Sequence, residues 1–164
     1  MPAITGGIGV CHTYVDRLAD VDMAVSIANN AKLSRPYVCN ALDTLIVHSG
    51  IAPQFLLKLA ADWAEAGVEM RCDRRALTIL GHLDGINALP ATDDDWGREF
   101  LSLTAAVRIV DSMDEALEHI DTFTSGHTEA IVTESYSAAN RFLDEVDAGV
   151  VMVNASTRFN DGGQ

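Results

Sequence analysis

Short β-rich runs and helical stretches take turns along the whole chain, and that alternation limits the fold more than any other feature. Val10–Val15, Leu42–His48, Val68–Cys72, Ala105–Val110, Ala130–Val132 and Val150–Asn154 are short, rich in β-branched or apolar residues, and read as strands. Between them lie stretches with apolar residues at three- and four-residue steps. Met23, Ala24, Ile27, Ala28 and Ala31 form one such face. Phe55, Leu56, Leu59, Ala60 and Trp63 form a second, and Ala139, Phe142, Leu143 and Val146 a third. The helix starts are marked. Asp20 or Asp22 caps the first helix, Pro53 opens the second, Asp73 caps a short helix to Leu80, and Ser112-Met-Asp-Glu115 has the pattern of a reciprocal capping box. Gly67 and Gly149 close helices. Strands alternating with helices imply right-handed crossovers. The expected fold class is α/β, a three-layer domain with a largely parallel sheet.

Composition bounds the function classes. The 164 residues suit one domain with a real core. The net charge of 11 − 24 = −13 disfavours nucleic acid and anionic membrane surfaces as partners. The start lacks the basic and apolar regions of a signal peptide, and no apolar run reaches the length of a membrane span, so a cytoplasmic location is expected. Three cysteines with no CxxC pair, and five histidines without HExxH spacing, imply neither a disulfide framework nor a metal site. Thr5-Gly-Gly-Ile-Gly9 is a tight turn into a strand rather than a dinucleotide loop. Residues 81–95 read as an exposed loop, with Asp93, Asp94 and Asp95 solvated.

Lys32 to Leu45 carries the chemistry. Pro36 ends the helix, since its ring clashes with the preceding turn and it has no N–H to donate. Cys39 then falls in the short link between helix and strand. Lys32 and Arg35 precede it, and nearby cations favour a thiolate. Asn40 follows and can orient a carbonyl or hold a turn. A positioned thiol, local positive charge and loop N–H groups are what covalent acyl chemistry requires. A cysteine beside a strand can equally be a small buried hydrophobe, and both readings remain open on spacing alone. A nucleophile before a strand also lies at the sheet's amino edge, whereas ligands in such sheets usually bind beyond the carboxyl ends. That position suggests a site completed by another domain.

Four stretches carry a resemblance: Val10-Cys-His-Thr-Tyr-Val-Asp16, Asn30 to Leu45, His127-Thr-Glu-Ala-Ile-Val-Thr133, and Val153-Asn-Ala-Ser-Thr-Arg-Phe-Asn-Asp-Gly-Gly163. In these the chain resembles the gamma-glutamyl phosphate reductases, or glutamate-5-semialdehyde dehydrogenases, of the aldehyde dehydrogenase superfamily. The resemblance implies the catalytic-domain fold of that superfamily and a catalytic domain over residues 1–154. It makes residues 155–164 a truncated connection to missing cofactor and oligomerisation parts. It implies NADPH-dependent reduction of L-glutamate 5-phosphate to glutamate 5-semialdehyde in proline biosynthesis, through a thioester on Cys39. The Cys39 backbone N–H would donate to the developing oxyanion. Thr5 stands near the place where hydrolytic relatives carry a water-activating Glu, a departure that fits a reductase. Glu99 resembles the superfamily carboxylate that holds a cofactor ribose. Arg35, Asn40, Ser156, Thr157 and Arg158 become candidates for substrate carboxylate or phosphate, although Glu99 and Arg158 also read as solvated surface groups. The resemblance further implies a homo-oligomeric complete protein, pairing with glutamate 5-kinase, and an excised domain that is inactive alone. The alternatives are a binding or assembly module of the same fold, or a related dehydrogenase with another acyl substrate.

Overall fold

A computed structural model describes residues 7–160. Thr5 and residues 161–163 of the last matched stretch therefore lie outside the described residues. Within 7–160 the order is β1 (Cys11–Val15), α1 (Val21–Leu33), β2 (Thr44–His48), α2 (Ala52–Glu65), β3 (Glu69–Cys72), α3 (Arg74–Leu80), β4 (Ala88–Pro90), β5 (Thr104–Val110), α4 (Met113–Phe123), β6 (Thr128–Val132), α5 (Tyr136–Glu145) and β7 (Val150–Val153). Short 3-10 turns cover Asp93–Asp95 and Thr157–Asn160.

The strands form one sheet in the order β4-β3-β5-β2-β1-β6-β7, with every pairing parallel. Thr44 of β2 lies opposite His12 of β1 on one side and Ala106 of β5 on the other. Cys11 lies opposite Thr128. Successive strand residues point to opposite faces, and β2 shows the result. Leu45 and Val47 join Phe55, Leu56, Leu59 and Trp63 beneath α1, α2 and α3. Ile46 joins Tyr14, Val110, Ile120, Ile131 and Phe142 beneath α4 and α5. Three layers result, as the alternation requires.

Local signals act where they are written. Asp20 accepts the Met23 N–H at 2.7 Å, and Ser135 accepts the Ala138 N–H at 3.2 Å. Asp73 accepts the Ala76 N–H at 2.7 Å and, with its other oxygen, the Ile109 N–H at 2.8 Å, tying α3 to β5. Gly67 has φ 74°, which glycine adopts without Cβ strain. His12 packs wholly inside, with its Nδ1 3.0 Å from Glu129, itself buried.

Four expectations need correction. Residues 81–95 are not simply an exposed loop, because β4 adds an edge strand beside β3. Of the three aspartates only Asp93 and Asp94 are exposed. Asp95 is buried and accepts from the Thr92 N–H and hydroxyl at 2.8 and 3.0 Å. The capping box at Ser112 is one-sided: Ser112 accepts the Glu115 N–H, but the Glu115 side chain reaches the Asp111 N–H instead. Leu143 points outward and is 45% exposed, which leaves Phe142 as the fully buried anchor of α5.

Candidate active site

The link between α1 and β2 is pinned from below. Pro36 and Asn40 are buried, while Arg35, Tyr37 and Cys39 are exposed. Ala41 N–H donates to Val38 O at 3.0 Å and Leu42 N–H to Ala31 O at 3.0 Å, so the chain reverses tightly around Cys39. Gly9, just before β1, passes directly beneath. A Cβ there would fall 2.5 Å from the Cys39 carbonyl oxygen and 3.0 Å from its Cβ, so the close approach requires glycine.

The three thiols are not equivalent. Cys11 and Cys72 are buried, whereas Cys39 is exposed. Burial pushes the Cys11 thiol well above its ordinary range, helped by the nearby Asp43 and Glu129 charges. Burial also pushes Cys72 up to about 12, with Asp73 adding to it. Both therefore stay protonated at neutral pH, and a thiol is nucleophilic only as thiolate. The Cys11 Sγ donates to the Cys39 carbonyl at 3.3 Å and lies 3.7 Å from His127 Nδ1.

Lys32 does not supply the surface charge expected of it. It is 0% exposed and donates from Nζ to Leu42 O at 2.7 Å, beneath the link. Burial lowers its pKa to about 8, against the attraction of Asp43. Asp43, 2% exposed, is the other buried ion here. Burial raises its carboxyl to about 6, opposed by the Phe100 N–H, the Lys32 charge and the Cys11 N–H. Asp43 did not stand out in the sequence, and Lys32 stood out only as a surface cation. A Lys at a helix end and an Asp before a strand usually face water, and only the tertiary packing buries them.

Other elements reach the same edge of the sheet. Asn40 donates to Asn160, and Asn160 donates to the Thr128 hydroxyl at 2.6 Å, which is 2.8 Å from His127 Nδ1. The turn Thr157–Asn160 is thereby tied to the Cys39 link and to the start of β6. Ser156, Thr157 and Arg158 are buried, with the Ser156 hydroxyl accepting the Arg158 N–H at 3.2 Å. The solvated reading of Arg158 is set aside by that burial. Glu99 is half-buried, and the next N–H, of Phe100, donates to Asp43 Oδ1 at 2.9 Å. Cys39, Asn40, Glu99 and the 156–158 turn are thus brought to one edge, while Arg35 stands exposed on the link. Among the described residues, no group of three or more His, Cys, Asp or Glu is placed to hold a metal, and no helix is long and apolar enough to cross a membrane.

No family model matches the chain. A gamma-glutamyl phosphate reductase of Dehalococcoides mccartyi is 60% identical over 164 residues, all of this chain and 39% of the relative. The crystal structure of the gamma-glutamyl phosphate reductase of Thermotoga maritima superposes with a TM-score of 0.90 at 45% identity, over 96% of this chain and 37% of that one. An acetylating aldehyde dehydrogenase from Geobacillus thermoglucosidasius superposes with a TM-score of 0.69 at 20% identity, over 93% of this chain and 41% of that one, and shows the shared fold. The fold is therefore the one seen in aldehyde dehydrogenases. By sequence and by fold this chain is similar to the gamma-glutamyl phosphate reductases, and it spans about 39% of the length of the relative it matches.

Proposed function

We propose that these residues form the thiol-bearing part of a reductase that converts L-glutamate 5-phosphate to glutamate 5-semialdehyde with NADPH, in proline biosynthesis. The observation that carries this reading is the accessibility of Cys39 in a chain whose other two thiols are buried and held protonated. The Cys39 thiolate attacks the acyl carbon, a carbon–sulfur bond forms, the bond to the phosphate oxygen breaks, and inorganic phosphate leaves. A thioester remains on Cys39. The Cys39 backbone N–H donates to the oxyanion as it develops. Phosphate is the leaving group, so this acyl transfer needs no water-activating base.

Glu99 fits a cofactor-facing role. It is a half-buried carboxylate on a segment fixed to the sheet edge, and a carboxylate accepts readily from ribose hydroxyls. The chemistry a bound NADPH supplies is a hydride for the thioester carbon. Arg35 and Arg158, with Asn40, Ser156 and Thr157, are the groups assigned to substrate carboxylate and phosphate. A guanidinium presents a fixed fork of donors that matches either anion. Residues 1–154 act as the catalytic domain, and residues 155–164 as the connection onward. The complete protein is cytoplasmic and homo-oligomeric, and it works beside glutamate 5-kinase. The excised domain is inactive alone.

The test is turnover of the complete reductase carrying these residues, wild type against Cys39→Ser, with glutamate 5-semialdehyde, phosphate and NADP+. Loss of turnover in a folded variant is expected. Retained turnover moves the chemistry away from Cys39.

A further inference from the structure

We propose that Asp43 is the positioning residue of this edge: its buried carboxylate clamps the Glu99 segment to the start of β1, and so fixes the cofactor-facing carboxylate relative to the Cys39 link. The proposal rests on the roles of Cys39 and Glu99 given above.

The two oxygens of Asp43 serve two distant segments. Oδ1 accepts the Phe100 N–H at 2.9 Å, and Oδ2 accepts the Cys11 N–H at 3.2 Å. Its own backbone ties two strands, the N–H donating to Cys11 O at 3.0 Å and the carbonyl accepting from Ala106 N–H at 2.8 Å. One buried residue thus joins the Cys39 link, β1, β5 and the 96–103 segment. Phe100 follows Glu99 directly and precedes Leu101, which sits at φ 50°. A leucine in that left-handed conformation is strained and persists only where its surroundings enforce it. The clamp on the neighbouring N–H is such an enforcement. Lys32, donating to the carbonyl just before Asp43, opposes the effect of burial on the carboxyl and favours its ionised, doubly accepting form.

Asp43→Asn keeps the volume but leaves one acceptor oxygen and an NH2 group. It cannot accept from both N–H groups at once. The experiment uses the complete reductase carrying these residues, as wild type, Cys39→Ser, Glu99→Gln, Asp43→Asn and the Glu99→Gln/Asp43→Asn double variant. NADPH affinity is read by fluorescence, and the Cys39 alkylation rate with iodoacetamide. Hydrogen exchange at the Phe100 amide is followed in the 164-residue chain. Asp43→Asn is expected to weaken NADPH binding by about fivefold or more, the consequence of a misplaced buried donor. Phe100 exchange should accelerate, and Cys39 alkylation should stay within about twofold of wild type. The double variant should bind NADPH no more weakly than the worse single variant, because residues acting through one another are not additive. Additive losses, or unchanged affinity with accelerated Phe100 exchange, overturn the proposal. A fall in alkylation that parallels the loss of affinity also overturns it, since that marks a merely structural role. Should Asp43→Asn fail to fold, the wild-type amides decide: protection of Phe100 matching that of Cys11 supports the clamp, and free exchange at Phe100 overturns it. Turnover that survives Cys39→Ser, or binding that ignores Glu99→Gln, defeats the underlying reading while leaving the Phe100 exchange result to stand separately.

Discussion

Lys32→Met removes a buried ammonium while keeping an unbranched side chain of similar length. The wild-type lysine ordinarily titrates near 10.5, and burial brings it to about 8 in the fold. The folded pKa is thus below the unfolded one. Between pH 8 and 10.5 the unfolded chain holds a proton that the folded chain has released, so folding stability rises with pH across that window. At about 1.4 kcal/mol per pKa step of one, the full rise is about 3 kcal/mol. No solvent discount applies, because Lys32 is 0% exposed. The buried thiols Cys11 and Cys72 titrate in the opposite sense there, but they are present in both proteins and cancel in the difference. Asp43, at about 6, is ionised throughout the window. Urea unfolding of wild type and Lys32→Met at pH 7, 8, 9, 10 and 10.5 gives the difference directly. The stability of the variant relative to wild type should fall by about 3 kcal/mol from pH 8 to 10.5. A difference that stays flat within about 0.5 kcal/mol would refute the buried-charge argument.

Three further outcomes are expected. Gly9→Ala forces a Cβ to 2.5 Å from the Cys39 carbonyl, so it should cost about 1–3 kcal/mol in urea melts and change the Cys39 alkylation rate; an unaltered rate and stability would mean the link yields freely. Phe142→Ala should cost about 3–5 kcal/mol, while Leu143→Ala on the exposed side of α5 should stay within about 0.5 kcal/mol; equal losses would show that the helix packs differently. A disulfide-exchange reagent should find one fast thiol in the native chain and three after unfolding, and a second fast native thiol would contradict the burial of Cys11 and Cys72.

Much of the architecture is legible in the residues because it rests on local rules. Asp20, Asp73 and Ser112 cap the helices they precede, and a cap needs only a side chain and an N–H two or three residues on. The error at Ser112 has the same scale, since Glu115 chose the Asp111 N–H one residue away. The missed strand β4 is of another kind. Ala88–Pro90 is short and ends in proline, a combination tolerated only at a sheet edge, and nothing local predicts that edge.

The site divides in the same way. The alternating strands and helices and the tight link that presents Cys39 are written in the residues, and the resemblance offers candidate roles for Asn40, Glu99 and Arg158. Each of these follows from periodicity, from a helix-stopping proline or from a recognisable run of residues. Long-range packing alone makes Asp43 and Lys32 buried ions under that link, lets Asn160 bridge Asn40 to Thr128, and passes Gly9 beneath Cys39. The physical reason is separation along the chain. Asp43 meets a donor 57 residues away and Asn40 an acceptor 120 residues away. Such contacts exist only once the parallel sheet has brought the starts of β1, β2, β5 and β6 to one edge.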